Sequence, residues 1–169
     1  MAAPLFATNA HRYDPYRNCK FQVVIDGVTV AGLSKMSALK KSTEVIPWRV
    51  GGDPSHERKI PGGTKYEPIT LEAGLTHDPQ FMELASRVNN IDGDGGMSLL
   101  NFRTNMVVNV MNLQGSVALS YKIFRAWVSE FQALPDLDAN NMNTIGIQTL
   151  KLEHEGWQID STVAEPAEF

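Results

Sequence analysis

Residues 43–75 read TEVIPWRVGGDPSHERKIPGGTKYEPITLEAGL, and this stretch decides the fold. Two strand-like runs, Ser42 to Val50 and Tyr66 to Leu75, flank a charged segment rich in Gly and Pro. In the first run Pro47 removes an amide donor, which favours an edge or bulge over a central position. In the second, Ile69, Leu71 and Ala73 share one face. The segment between them carries no catalytic signature and reads as an assembly surface. Trp48 and Arg49 open it: either the aromatic closes the core beside a surface cation, or both belong to an interface, where Trp and Arg contribute disproportionately. Asp53, Glu57, Arg58 and Lys59 mix both signs, which suits contact with a copy of the same chain; the alternative is a solvated loop.

Outward from this stretch the same period-2 alternation recurs. Phe21, Val23 and Ile25 alternate with Gln22, Val24 and Asp26, then Asp26-Gly27 leads into Val28 and Val30. Asp-Gly supplies the positive φ angles of a two-residue turn, so this is a hairpin. After Leu75, Thr76-His77-Asp78-Pro79 predicts a helix start, with Asp78 accepting from first-turn amides and Pro79 where a missing N–H costs nothing. Phe81, Leu84, Ala85 and Val88 give that helix one apolar stripe, and the Asn- and Gly-rich run 89–96 stops it. Met106, Val108 and Val110 then pair with a long strand through Val117, Leu119, Tyr121 and Ile123, joined by Asn112 to Ser116. Phe124, Ala126 and Val128 continue it with the opposite parity, the mark of a bulge or of covered faces. A last strand lies within Thr144 to Glu155, where the parity shift from Ile145 and Ile147 to Leu150 and Leu152 hints at a second bulge. Six or seven strands and one helix predict a mainly β domain, an antiparallel β-sandwich or partly closed barrel with one packed α-helix. Its long hairpins present edge groups that another chain can pair.

The chain has 169 residues, 43% hydrophobic and 20% charged, which fits one domain with an N-terminal arm (1–19) and a C-terminal tail (158–169). A net charge of -4 with scattered Lys and Arg argues against a nucleic-acid site. No apolar run reaches the ~20 residues of a membrane span and the N-terminus lacks a signal-peptide pattern, so cytoplasmic retention without membrane anchoring is expected. Cys19 is the single cysteine, so there is neither an intrachain disulfide nor a Cys-pair zinc site.

Candidate chemistry dissolves on inspection. Asp92-Gly93-Asp94-Gly95-Gly96 opens like a calcium loop, but Met97, Ser98, Leu99 and Leu100 follow where oxygen donors are needed, so it reads as a turn. Gly51-Gly52-Asp53-Pro54 and Gly62-Gly63-Thr64-Lys65 lack the phosphate-loop pattern. His11, His56, His77 and His154 form no metal-type pair and accompany no nucleophile elbow. Glu67 with Glu72, and Glu153 with Glu155, read as solvated strand charges. No enzyme and no cofactor is expected.

Several blocks in order carry a family resemblance: Phe21-Gln22-Val23-Val24-Ile25-Asp26-Gly27, Thr43-Glu44-Val45-Ile46, Arg49-Val50-Gly51-Gly52, Arg58-Lys59-Ile60-Pro61-Gly62 and Thr64-Lys65-Tyr66. Asp136-Leu137-Asp138-Ala139-Asn140-Asn141, Ile145 to Leu150 and Leu152-Glu153-His154-Glu155-Gly156 follow as a closing segment. Together, over roughly residues 20 to 157, the chain resembles the tail tube proteins of contractile phages and phage-like injection systems. The helix departs from the family's frequent tryptophans, with Phe81, Met82 and Leu84 instead.

The resemblance implies hexameric rings stacked into a hollow tube that sheath contraction drives into a target, with long hairpins forming a continuous β lining of the lumen. It implies partners: sheath, baseplate or spike and tube-initiator proteins, tape-measure and terminator proteins, and cargo in the lumen. Assembly in the bacterial cytoplasm would precede incorporation into the particle. Arg49 through Lys65 would be an extended loop engaging neighbours, and the expected interface set is Trp48, Arg49, Asp53, Glu57, Arg58, Lys59, Lys65, Tyr66, Asp136 and Asp138. The alternatives are a tube-initiating ring or baseplate adaptor of the same fold, and a β-sandwich ligand-binding module. The last needs clustered surface aromatics, which Trp48, Trp127 and Trp157 do not establish from their spacing.

Overall fold

The computed structural model describes residues 6–52, 54–93, 97 and 99–169. In chain order the strands are β1 (Phe21–Ile25), β2 (Val28–Thr29), β3 (Leu33–Met36), β4 (Lys41–Trp48), β5 (Arg58–Tyr66) and β6 (Ile69–Gly74). Helix α1 (Gln80–Ser86) follows, then β7 (Thr104–Met111), β8 (Val117–Gln132), β9 (Ile147–Glu153) and β10 (Gly156–Ile159). The main sheet runs β2-β1-β7-β8-β9-β6-β3, with β10 also on β8; β4 and β5 form a separate two-stranded sheet. Every pairing is antiparallel. The terminal strands β2 and β3 do not meet, so the sandwich is not a closed barrel.

Strand β8 holds the two layers together. Its first half pairs with β7 and β10, its second half with β9. The parity change at Phe124 is a bulge: Thr104 and Met106 of β7 face Ala126 and Ile123, leaving an extra residue on β8. Arg125 takes φ 53°, and its N–H reaches Asn105 Oδ1 at 3.1 Å. Two further irregularities also lie on β8, between Val117 and Leu119 and between Val128 and Glu130. The bulge expected in the last strand is therefore absent from β9, whose register with β6 is continuous from Ile69↔Leu152 to Gly74↔Ile147. Ile145 precedes the strand and Ile147 points outward, while Gln148, Leu150 and Leu152 point in.

Alternation places Val23, Ile25, Met106, Val108 and Ile123 of one layer against Ile69, Leu71, Ala73, Leu150 and Leu152 of the other in one buried cluster. Helix α1 closes it with Phe81 and Leu84, flanked by half-buried Ala85 and Val88. Asp78 accepts the Gln80 N–H at 3.1 Å, but Pro79 holds the N-cap position. The first hairpin turns as its sequence requires, Asp26 at φ 52° and Gly27 at φ 79°. The Asp26 carboxylate receives Thr104 and Arg87. Burial opposes its ionisation, yet the hydrogen bonds from Arg87 and Thr104 leave it below its usual range.

Four expectations change. The run Ser42 to Val50 ends at Trp48, and Tyr66 to Leu75 divides into the end of β5 and all of β6. About half of the loop expected from Arg49 to Lys65 is strand: residues 58–65 belong to β5, which pairs with β4 from Trp48↔Arg58 to Lys41↔Tyr66. Strands β3 and β10 are additional, and β10 extends into the segment read as a tail. The arm and tail clasp each other: Asn9 Nδ2 donates to Glu165 Oε1 at 2.7 Å and to the Pro166 carbonyl at 2.8 Å, and Arg12 pairs with Glu168. Asp94, Gly95, Gly96 and Ser98 of the calcium-like run lie outside the described residues. No group of three or more His, Cys, Asp or Glu among the described residues could hold a metal ion, and no described helix is long and apolar enough to cross a membrane.

Candidate assembly surface

The β4–β5 hairpin stands away from the sandwich. Its strands pack mainly on each other, and every residue of β4 is exposed. Cross-strand register puts Ile46 opposite Ile60 and Trp48 opposite Arg58, all on one face, while Val45, Pro47, Lys59 and Pro61 occupy the other. Gly62 lies under Ile46: a Cβ there would stand 3.2 Å from the isoleucine side chain and from the Glu44 carbonyl. Pro47 sits in a two-stranded sheet with one free side, where its missing donor is tolerated. Val45 is 58% exposed and Ile46, Trp48 and Ile60 are 47–49% exposed. Two strands alone are marginally stable in water, and these side chains leave an apolar patch exposed on the ribbon.

One joint fixes the hairpin to the body. Glu67 N–H donates to the Lys40 carbonyl at 3.1 Å, and Lys40 Nζ pairs with Glu67 at 3.0 Å. His154 Nε2 lies 2.9 Å from the Glu67 carbonyl and therefore donates to it; Nδ1 is then the bare nitrogen, buried without a partner. Tyr66 packs on His154 with ring centroids 5.7 Å apart. The same ring covers Gly156, at φ 147°, where a Cβ would touch it at 3.4 Å.

Of the expected interface residues, the structure brings Trp48, Arg49, Glu57, Arg58, Lys59, Lys65 and Tyr66 onto this one hairpin. Trp48 does not close the core: the Arg58 guanidinium lies 5.8 Å from its ring centroid, at the surface. Arg49 donates to the Pro54 carbonyl at 3.4 Å within the turn. Tyr66 belongs to the joint. Asp53 lies outside the described residues. Asp136 and Asp138 sit apart, exposed in the connection 133–146 between β8 and β9, where Asp138 Oδ1 accepts the Asn140 N–H at 2.9 Å. Sequence reasoning missed Ile46, Ile60 and His154. The alternation of Glu44-Val45-Ile46 carried a signal for the first; Pro61-Gly62-Gly63 hid the strand around Ile60.

Other strand positions are also open. Strand β2 spans two residues and β3 four, each with one strand neighbour. Strand β7 ends opposite Ala126, so residues 127–132 of β8 have β9 as their sole described strand neighbour. Beside β3 and β10 a cleft of about 660 Å³ is lined by Phe21, Met36, Leu39, Tyr121 and Trp157. The three tryptophans stand on β4, β8 and β10, with only Trp157 in this cleft. Lys122 holds Asp160 at 2.8 Å, and that hydrogen bond, with two from Thr162, lowers the Asp160 carboxyl to about 2. Glu155 sits below its usual range through its hydrogen bond from Arg125, aided by the charge of Arg103.

Residues 17–158 match the profile of the family described as T4-like virus tail tube protein gp19. No curated protein sequence matches the chain. A solved chain from the anti-feeding prophage baseplate is similar in fold, with 19% identity and a TM-score of 0.72 over 88% of this chain and 97% of that one. A chain from the extended PVC sheath–tube complex, an extracellular contractile injection system, shows 19% identity and a TM-score of 0.71 over 86% and 91%. Hcp1 from Flavobacterium johnsoniae shows 15% identity and a TM-score of 0.52 over 82% and 93%.

Proposed function

The chain belongs to the T4-like virus tail tube protein family, and from that premise we propose that it is the repeating subunit of the inner tube of a contractile particle. The family is one of structural tube proteins rather than enzymes. In this reading six copies close a ring, rings stack around a hollow lumen, and sheath contraction propels the tube into its target. The observation that carries it is the cantilevered β4–β5 hairpin, which exposes isoleucine, valine and tryptophan on a two-stranded sheet. Covering them with a sister copy removes apolar area from water and stabilises a ribbon that is marginal alone. The short, singly paired edges support a continuous β lining, since an edge strand accepts another strand through its backbone groups.

The partners of such a tube are the sheath around it, baseplate, spike and initiator proteins at one end, terminator and tape-measure proteins, and cargo in the lumen. Assembly takes place in the bacterial cytoplasm before the tube enters a phage or phage-like particle. Imaging purified protein at high concentration, alone and with its baseplate, tests this: rings or tubes are expected, and persistent monomers in both conditions refute it. The likeness to a baseplate chain favours a second reading, a single initiating ring of the same fold. Copy number in an intact particle separates the two, since a main tube needs many layers and an adaptor one.

A further inference from the structure

Charge is divided unequally between hairpin and body. Residues 41–66 carry five Lys or Arg against three Asp or Glu, while the remainder carries ten against sixteen. The hairpin is cationic and the body anionic. One hairpin face gathers Ile46, Trp48 and Ile60, with Arg58 beside the indole. On the body, a second apolar surface stands open in the connection 133–146. Leu134 and Leu137 are 55% and 74% exposed there, interleaved with Asp136 and Asp138, and the segment contains no Lys or Arg. The Asp138–Asn140 turn keeps that carboxylate at the surface.

We infer that the Ile46–Trp48–Ile60 face of one copy seats on the 133–146 segment of the next, with Arg58 facing Asp136 and Asp138. This inference rests on the tube reading and names the receptor for the hairpin. Contact between two unlike surfaces is head-to-tail, the geometry that closes rings or propagates stacks. The apolar side chains supply affinity; the charges fix register and disfavour docking of this face on its own copy, where Arg58 would meet Arg58.

Charge reversal with rescue tests the pairing in the full chain. Arg58→Glu alone, and Asp136→Lys with Asp138→Lys, should each raise the concentration needed for tube formation at least ~10-fold, because like charges then face each other. Combining all three should return it to within about threefold of wild type, as expected of directly coupled sites. Sedimentation and electron microscopy give the readout, and circular dichroism of the monomers, expected to be unchanged, separates misfolding from lost contact. Tubes indifferent to both reversals, or a combination no better than the worse parent, overturn the pairing and leave the tube reading standing. Loss of assembly on Arg58→Glu alone, with the aspartates replaceable, assigns the hairpin to another surface, the Trp157 cleft included, and also overturns it. Wild-type protein that never assembles refutes the tube reading and this pairing together.

Discussion

The sandwich and the β4–β5 hairpin are built from the same alternation of apolar and polar residues, and they end in opposite environments. In β6, Ile69, Leu71 and Ala73 are buried against β9 and the facing layer; in β4, Val45 and Ile46 face solvent on both sides of a ribbon. Alternation therefore specifies strand, while burial depends on whether the chain also provides a second layer. The sandwich completes its own core within one copy. The hairpin has no second layer among the described residues of its own copy.

This contrast can be broken at graded points. Truncating the core at Ile123→Ala, a fully buried site, is expected to lower monomer stability by about 3 kcal/mol in urea denaturation; an effect under about 1 kcal/mol would mean the layers are loosely packed. At the joint, His154→Ala strips the Glu67 carbonyl of its donor and should cost about 1–2 kcal/mol. It should also quicken protease cleavage between residues 49 and 57, with unchanged cleavage showing that the joint does not hold the hairpin.

A smaller effect is expected at Asp160, whose folded carboxyl lies at about 2 against an ordinary 3.8. A lowered acid stabilises the fold above its unfolded value and loses that contribution as pH falls through the folded one. The melting-temperature gap between wild type and Asp160→Asn should thus be constant above about pH 5 and close as pH approaches 2; a gap independent of pH would contradict the Lys122 pairing. Smallest of all, Ile46→Ser should change monomer stability by less than about 0.5 kcal/mol, the range of surface substitutions. The same variant should abolish tubes in electron micrographs, and tubes formed as by wild type would remove the hairpin from the interface.

What was legible in the sequence follows the same division. The Asp26-Gly27 hairpin, the apolar stripe of α1 and the β8 bulge were readable, because turn chemistry and parity are local. Strand β5 was not, since Pro61, Gly62 and Gly63 resemble a loop and only pairing with β4 makes them strand. Strand β10 escaped because four residues carry too little pattern, and His154 because its role arises from Glu67, far away in sequence. The supposed bulge in β9 failed through the inclusion of Ile145 and Ile147, one before the strand and one on its outer face. Seven of the candidate interface residues fall on one hairpin that the sequence read as a loop between two strands, and Asp136 and Asp138 lie in a separate connection.

The bulge at Arg125 has a mechanical consequence. Both layers share one sixteen-residue strand, so a load applied to either is carried along β8, and its ladder with β7 is interrupted at Arg125, where the backbone already adopts a left-handed angle. That residue is one of three points where β8 slips register, with Ala118 and Ser129, so bending between the layers is shared among breaks in the ladder rather than spread evenly along the strand.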